Sequence, residues 1–470
     1  MKIVVFGVGK YYKKRKKNIP EDIEIVAFID NNSKVWGNTI NGIKIYNPNQ
    51  IFQFQYDRIL LMSLKIEEMQ QQLLEMGVPS EKIWYWNLFY GDVKRGFLQL
   101  YGNTLVQKSA CHILFIATRL SYDGSSMAAV YAVEALKKRG YSVVLAAPSG
   151  NDKFIEEIKK KGIVIVICPS LYCIHEEELI WIKQFDMVIV NTFVMIASAC
   201  ELSKEQPVLW WIHECSDMFD NAYSHTRKEF RVYDNKECFQ RINIYAVSKI
   251  AKWNFNDFYS ERIKKLLPYG IPDNYLEVSY KQMKSKKIIF AIIGSICIRK
   301  AQQIFIDAVK MLNKIEKDKM EAWIIGYIGL DSYSNMIKSI SEIEPCIKIL
   351  GELSRVDMDK AYEQIDVIVC PSMEETMSIV TTEGMMYGKL CIVSDRTGMA
   401  DYIKEGENGF ICKVGDVVNL YEKIRYIIHN REKLLEIGKR ARKTYEEYFT
   451  MDRFEENLNR CVLETIKEYE

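Results

Sequence analysis

Two glutamates, Glu375 and Glu383, stand eight positions apart in the stretch PSMEETMSIVTTEGMMYGK, residues 371–389. Carboxylates accept charge-assisted hydrogen bonds, so such a pair can hold hydroxyl groups, for example those of a sugar and of a ribose. The preceding run IDVIVC, residues 365–370, is short and apolar in the manner of a buried parallel strand, and Pro371-Ser372 breaks it. Glu374 and Glu375 therefore fall on a loop. From about Ser378 onward Ile379, Glu383, Met386 and Tyr387 recur at helical spacing, and Gly388 closes the segment. Glu375 is thus expected near a helix start and Glu383 inside that helix. In an open α/β sheet, ligands bind outside the carboxyl ends of the strands, which makes this loop a site candidate. Spacing alone gives equal standing to a solvated helix face with capping glutamates.

The whole string, with its Pro-Ser start and Glu-Gly-Met-Met-x-Gly ending, resembles the Glu, seven residues, Glu signature of family four retaining glycosyltransferases. The resemblance implies that Glu375 contacts the transferred sugar, that Glu383 holds the ribose of a nucleotide-sugar donor, and that Thr376, Met377, Ser378 and Ile379 between them line the donor. Gly294-Ser295-Ile296-Cys297-Ile298-Arg299-Lys300-Ala301 resembles the family's Gly-Arg-x-x-x-x-Lys-Gly. Gly294 and Lys300 then fall at the donor diphosphate, where an ammonium would offset charge on the leaving group. Ser295 replaces the family's arginine, and Arg299 is the neighbouring cation.

Further back, the strand-like His112 to Ile116, the turn Tyr122-Asp123-Gly124-Ser125, a helix through Met127, Val130, Val133 and Leu136, Gly140 and the strand Val143 to Ala147 resemble the first unit of the amino-terminal lobe of the GT-B fold. There Gly124 would lie near the donor phosphates across the cleft; the plainer reading is a tight turn. Trp210-Trp211-Ile212-His213-Glu214 ends a strand, and the resemblance points His213 into the cleft as a catalytic-side residue, against the alternative of a core histidine. Tyr269 stands where the family commonly has asparagine.

Residues 1–105 open with a strand at Lys2 to Phe6, then Gly7-Val8-Gly9, with Tyr12 where a third dinucleotide-binding glycine belongs. The segment resembles the small Rossmann-like accessory domains of bacterial surface-polysaccharide enzymes, which carry Phe-Ile-Asp-Asn as in residues 28–31 here. A structural or nucleotide-sensing domain is expected rather than dehydrogenase chemistry. The expected layout is α/β, a GT-B pair of Rossmann-like lobes at 106–275 and 276–470 preceded by the domain at 1–105, with the final helix crossing back and a linker at Lys281 to Lys287.

The chain of 470 residues suits about three domains, and a net charge of +2 gives no electrostatic footprint for nucleic acid. Twelve cysteines form no Cys-x-x-Cys pair or cluster with the five histidines, so they read as reduced core residues of a cytoplasmic protein. The longest apolar stretch, Met187 to Cys200, is interrupted by Asn191, Thr192 and Ser198 and is too short to span a bilayer, leaving only peripheral contact with the inner membrane face. The basic run Lys13 to Lys17 is the candidate for that contact, or else a solvated loop. The resemblance implies transfer of a hexose-type sugar, with retention and without metal or other cofactor, from a nucleotide diphosphate to a growing glycan or lipid-linked acceptor in surface or capsular polysaccharide synthesis. A non-catalytic GT-B partner subunit or glycan-binding protein is the rival class, and Ser295 and Tyr269 are the features in its favour.

Overall fold

A computed structural model describes residues 1–16, 19, 23–63, 66–79, 82–85, 99–101, 111–172, 181–217, 219, 239–259, 263, 265–275 and 287–469. These residues build three sheets. The first runs in the order Thr39–Ile40, Ile43–Tyr46, Glu24–Ile29, Lys2–Phe6, Arg58–Leu61, Ile83–Tyr85, parallel except for its first pair. That pair is a hairpin whose two-residue turn, Asn41-Gly42, has φ of 50° and 80°. Asn-Gly is the strongest short hairpin signal a sequence carries, and this element went unread in the sequence. Tyr12, in the third-glycine position, is buried edge-on to Phe28 with ring centroids 5.3 Å apart. The Asp30 carboxylate accepts the Val8 and Asn32 N–H groups, each at 2.8 Å, and so braces the Gly7–Gly9 turn from within. In the basic run, Lys13 and Lys16 are exposed, and Lys17 lies outside the described residues.

The second sheet has the order Lys265–Leu266, Ile242–Ala246, Val208–Ile212, Met187–Asn191, His112–Ile116, Ser142–Ala147, Val164–Ile167, Gln99–Tyr101, with only the last strand antiparallel. The third is wholly parallel: Ile347–Gly351, Met320–Ile325, Ile288–Ile293, Val367–Cys370, Leu390–Ser394, Phe410–Cys412. Their inner strands are near-continuous apolar runs, as parallel strands covered by helices on both faces must be. In each sheet the order reverses beside the first strand of the lobe, which places a topological switch point between His112–Ile116 and Met187–Asn191 and another between Ile288–Ile293 and Val367–Cys370. Loops leaving those strands are where a ligand crevice forms.

The chain passes between the two lobes twice. Residues 267–275 leave the second sheet toward the linker, of which only Lys287 is among the described residues. The helix Leu434–Tyr448 belongs to the third lobe, and Met451–Tyr469 returns to pack on the helix Gly124–Lys138 of the second. Buried Glu455 receives Lys138 and Arg139 there, at 3.0 and 2.5 Å. The two passages touch. The Ile271 N–H donates to Phe449 O at 2.9 Å, Tyr445 Oη donates to Ile271 O at 3.0 Å, and a Cβ on Gly270 would lie 2.5 Å from Thr450 O.

One sequence expectation is corrected. Cys200 is disulfide-bonded, whereas Cys111, Cys168, Cys215, Cys297, Cys346, Cys370, Cys391, Cys412 and Cys461 are free as expected. Phe410–Cys412 is a parallel edge strand on Leu390–Ser394, and Asn408 just before it donates to Tyr402 O and Thr444 Oγ1. Among the described residues no helix is long and apolar enough to cross a membrane.

Candidate active site

The third sheet's switch point carries the cations. Ile288–Ile293 ends at Gly294, whose φ of 139° is open to glycine and whose missing Cβ leaves room for the Lys300 side chain, 3.3 Å away. Lys300 ends the short 3-10 turn Ile298–Lys300, and its ammonium pairs with Glu375 Oε2. Arg299 Nη1 donates to the same oxygen at 3.0 Å and to Glu374 O at 3.1 Å. Burial alone would raise the Glu375 pKa; the Lys300 and Arg299 charges bring it below the usual carboxylate value instead. Ser295, in the family's arginine position, is exposed and uses its carbonyl to hold Gln302 Nε2 at 3.0 Å. Arg299 is therefore the guanidinium that reaches this cluster.

Ala301 follows with φ 56° and ψ 39°, left-handed for a residue with a Cβ. Such a conformation costs about 1 to 2 kcal/mol. Ala301→Gly should raise stability by about 1 kcal/mol, read as a higher denaturation midpoint at unchanged m-value; an unchanged or lower midpoint would mean the strain is relieved elsewhere.

Val367–Cys370 delivers the double-glutamate segment as expected. Ser378 caps the helix Ile379–Met386 by accepting the Thr381 N–H at 3.2 Å, and Gly388 past its end has φ 64°. Glu383, on that helix, is 7% exposed, and its two oxygens accept Arg355 Nη1 at 2.6 Å and Tyr362 Oη at 2.7 Å. Neither partner was singled out from the sequence; Tyr362 was visible only as an apolar-spaced aromatic, and Arg355 had no signal. Met377 O accepts Tyr269 Oη at 3.1 Å, so tyrosine at the asparagine position makes its contact through its side chain. Burial and then the charges of Glu375 and Glu383 push the Tyr269 hydroxyl well above its ordinary pKa.

From the second lobe, Gly124 begins its helix without a positive φ, and its face opens toward Ile379 Cδ1, 3.8 Å from where a Cβ would be. That is an ordinary van der Waals distance, so neither the backbone nor the space at this position requires glycine. Val208–Ile212 presents His213. Its ring meets Trp211 edge-on at 4.3 Å, and its buried Nε2 has no hydrogen-bond partner. A core histidine satisfied by backbone groups would look different. Burial pushes the imidazole pKa down to about 3, so the ring is neutral at ordinary pH. Beside it Glu214, 7% exposed, is pushed up to about 7 by burial, against the pull of the His213 and Phe193 N–H groups. Thr192, at the neighbouring strand end, holds φ 77°, an outlier for a β-branched residue of the kind that collects at functional sites.

Glu374, which sequence reasoning left as a bystander of Glu375, reaches across the cleft. Its carboxylate accepts Asn254 Nδ2 at 2.5 Å, the Ser216 N–H at 3.2 Å and the Ser216 hydroxyl. On the other flank of Glu375, Thr376 Oγ1 donates to His213 O at 2.6 Å. The site thus gathers a carboxylate paired with two cations, a second carboxylate held by Arg355 and Tyr362, and a neutral imidazole whose Nε2 is unpartnered, at the facing carboxyl ends of two parallel sheets.

Residues 278–444 match the family described as glycosyl transferases group 1, and residues 1–84 match one described as C2185-like, N-terminal. Sulfoquinovosyl transferase SQD2 of Arabidopsis thaliana is 28% identical over 214 residues, which span 43% of this chain and 38% of that protein. An uncharacterized glycosyltransferase of Haemophilus influenzae is 20% identical over 71% of this chain and 95% of its own length. The capsular polysaccharide biosynthesis glycosyltransferase CapM of Staphylococcus aureus is 24% identical over 48% of this chain and 59% of its own. Among solved structures, Anabaena HepE in complex with UDP-glucose aligns with a TM-score of 0.63 at 15% identity, covering 75% of this chain and 99% of that one. The fold is that of the GT-B glycosyltransferases, with an additional sheet domain in front.

Proposed function

We propose, from the premise that the third lobe is a group 1 glycosyltransferase lobe, that this chain transfers a hexose-type sugar from a nucleotide diphosphate to a glycan or lipid-linked acceptor, with retention at the anomeric carbon. The observation that carries this is the Lys300, Arg299 and Glu375 cluster at the third sheet's switch point. Two cations there can receive a diphosphate and stabilise it as it leaves, so charge stabilisation needs no metal ion. Glu375 would take hydroxyls of the sugar. Glu383 would take those of the ribose: each of its oxygens keeps a lone pair beyond the one used by Arg355 or Tyr362. HepE, which binds UDP-glucose, and CapM, which serves capsular polysaccharide synthesis, support the donor class and the polymer class. The boundary at 275/276, a cytoplasmic location and peripheral membrane contact through the basic run belong to the same proposal; the boundary expected at 105/106 moves upstream of Gln99–Tyr101, which pairs with Val164–Ile167 in the second lobe's sheet.

The test is a panel of UDP-, GDP- and dTDP-sugars offered to purified protein, with hydrolysis and transfer both read. Glu383→Gln should weaken nucleotide-sugar affinity by about 10- to 100-fold, the equivalent of a lost charge-assisted hydrogen bond. Affinity within twofold of the parent, measured by calorimetry, removes Glu383 from the donor site.

A further inference from the structure

Glu375 is bracketed. Its own backbone is fixed inside the third lobe, the N–H donating to Arg396 O at 3.0 Å and the carbonyl accepting the Gly398 N–H at 2.8 Å. The residues on either side of it are fixed to the other lobe, Glu374 by Ser216 and Asn254 and Thr376 by His213 O. All three Glu374 donors are neutral, and the carboxylate is only 7% exposed. A carboxylate buried against neutral donors is stable only while every donor is present. Separating the lobes would strip all of them at once. Gly398 marks how closely the parts meet, since a Cβ there would fall 2.7 Å from Ser248 Cβ in the second lobe and 1.9 Å from Thr376 O.

We infer that Glu374 is a positioning residue: with Thr376 it ties the Glu375 loop to the His213–Ser216 turn and Asn254, so that Glu375 takes its transfer position only when the lobes are together. The inference rests on Glu375 being the sugar-side carboxylate. Of the donor's other proposed contacts, Lys300 and Glu383 stay on the third lobe clear of the tie, and Arg299 meets it only at the Glu374 backbone carbonyl, which an alanine keeps. Loss of the tie therefore acts on turnover and not on donor capture.

Glu374→Ala, Asn254→Ala and the pair should be compared at matched folded fraction. Turnover should fall about 10- to 100-fold in Glu374→Ala, as misplacement of a reacting group by an ångström does, with donor KM within about threefold of the parent. The pair should lose no more than Glu374→Ala alone, because both changes break one contact. Glu374→Gln, which keeps one acceptor oxygen for Asn254 Nδ2 and replaces the other by an NH2 group facing the Ser216 hydroxyl, should fall between. Cys215 gives a readout independent of activity: it is 8% exposed, its Sγ lies 3.8 Å from Glu374 O, and burial pushes its thiol up to about 12. Its alkylation by iodoacetamide, followed on its own peptide by mass spectrometry, should be at least about tenfold faster in Glu374→Ala. Unchanged labelling, or additive losses that follow melting temperature, overturn the inference. A parent protein inert toward every nucleotide sugar would instead overturn the transferase reading, while the labelling still decides the tie.

Discussion

Lys300→Ala should lower turnover of a nucleotide sugar by about 100- to 1000-fold, the loss seen when one charge-stabilising group is taken from a developing anion. The lysine is held at the switch point with Glu375 as its counter-ion, and only Arg299 remains once it is gone. Nucleotide affinity should fall as well, because the same ammonium meets the diphosphate in the ground state. Folding should also suffer: taking one partner from a buried ion pair leaves the other uncompensated at a cost of about 3 to 5 kcal/mol, here moderated by Arg299. Lys300→Arg therefore makes the decisive comparison. It restores the charge for Glu375 and should recover melting temperature more fully than turnover. Equal recovery of both would assign Lys300 to folding alone.

His213→Ala should lower turnover by about 100-fold while leaving UDP or GDP affinity nearly unchanged, the pattern of an interaction made mainly in the transition state. In the proposed function the nucleotide rests on the third lobe, whereas His213 belongs to the second. The buried, unpartnered Nε2 gives the same variant a second signature. Because the folded-state pKa is depressed to about 3, the unfolded chain binds a proton that the folded one refuses between about pH 6.5 and 3. Stability then drops as pH falls through that window, by at most about 1.4 kcal/mol per pH unit from this group. Glu214 acts with the opposite sign, its contribution being lost as pH rises through about 7. His213→Ala should accordingly show a shallower acid loss than the parent, with Glu214 common to both. Normal turnover with a lowered melting point would make His213 a packing residue.

Much of the frame was legible because parallel strands and their covering helices have strong periods. The Pro371-Ser372 break, the Ser378 cap and the Gly388 stop all act within a few residues, and each stands where local chemistry put it. The strand end at His213 was legible through the resemblance carried by Trp210-Trp211-Ile212-His213-Glu214. What escaped was everything set by the meeting of distant segments. Ser216 and Asn254 lie some 158 and 120 positions from Glu374, and nothing in the local spelling of either announces a carboxylate partner. Arg355 reached Glu383 unannounced for the same reason. The Asn41-Gly42 hairpin is a different kind of miss, since its signal was local and plain. The disulfide at Cys200 shows the limit of compositional reasoning: scattered cysteines say nothing about which two are neighbours in space.

The two passages between the lobes have a mechanical consequence. Tethers far apart on an interface would fix the angle between the bodies they join. Here they run side by side, hydrogen-bonded from Ile271 to Phe449 with Gly270 pressed against Thr450. The passages therefore oppose separation of the lobes at this one place and do little to oppose rotation about an axis through it. Displacement then grows with distance from the axis, so the far rim of the cleft travels most while residues beside the axis barely shift. Tyr269, one residue from the pivot, can keep its hold on Met377 through a swing that parts Glu374 from Asn254. A methyl group at position 270 would wedge the axis itself.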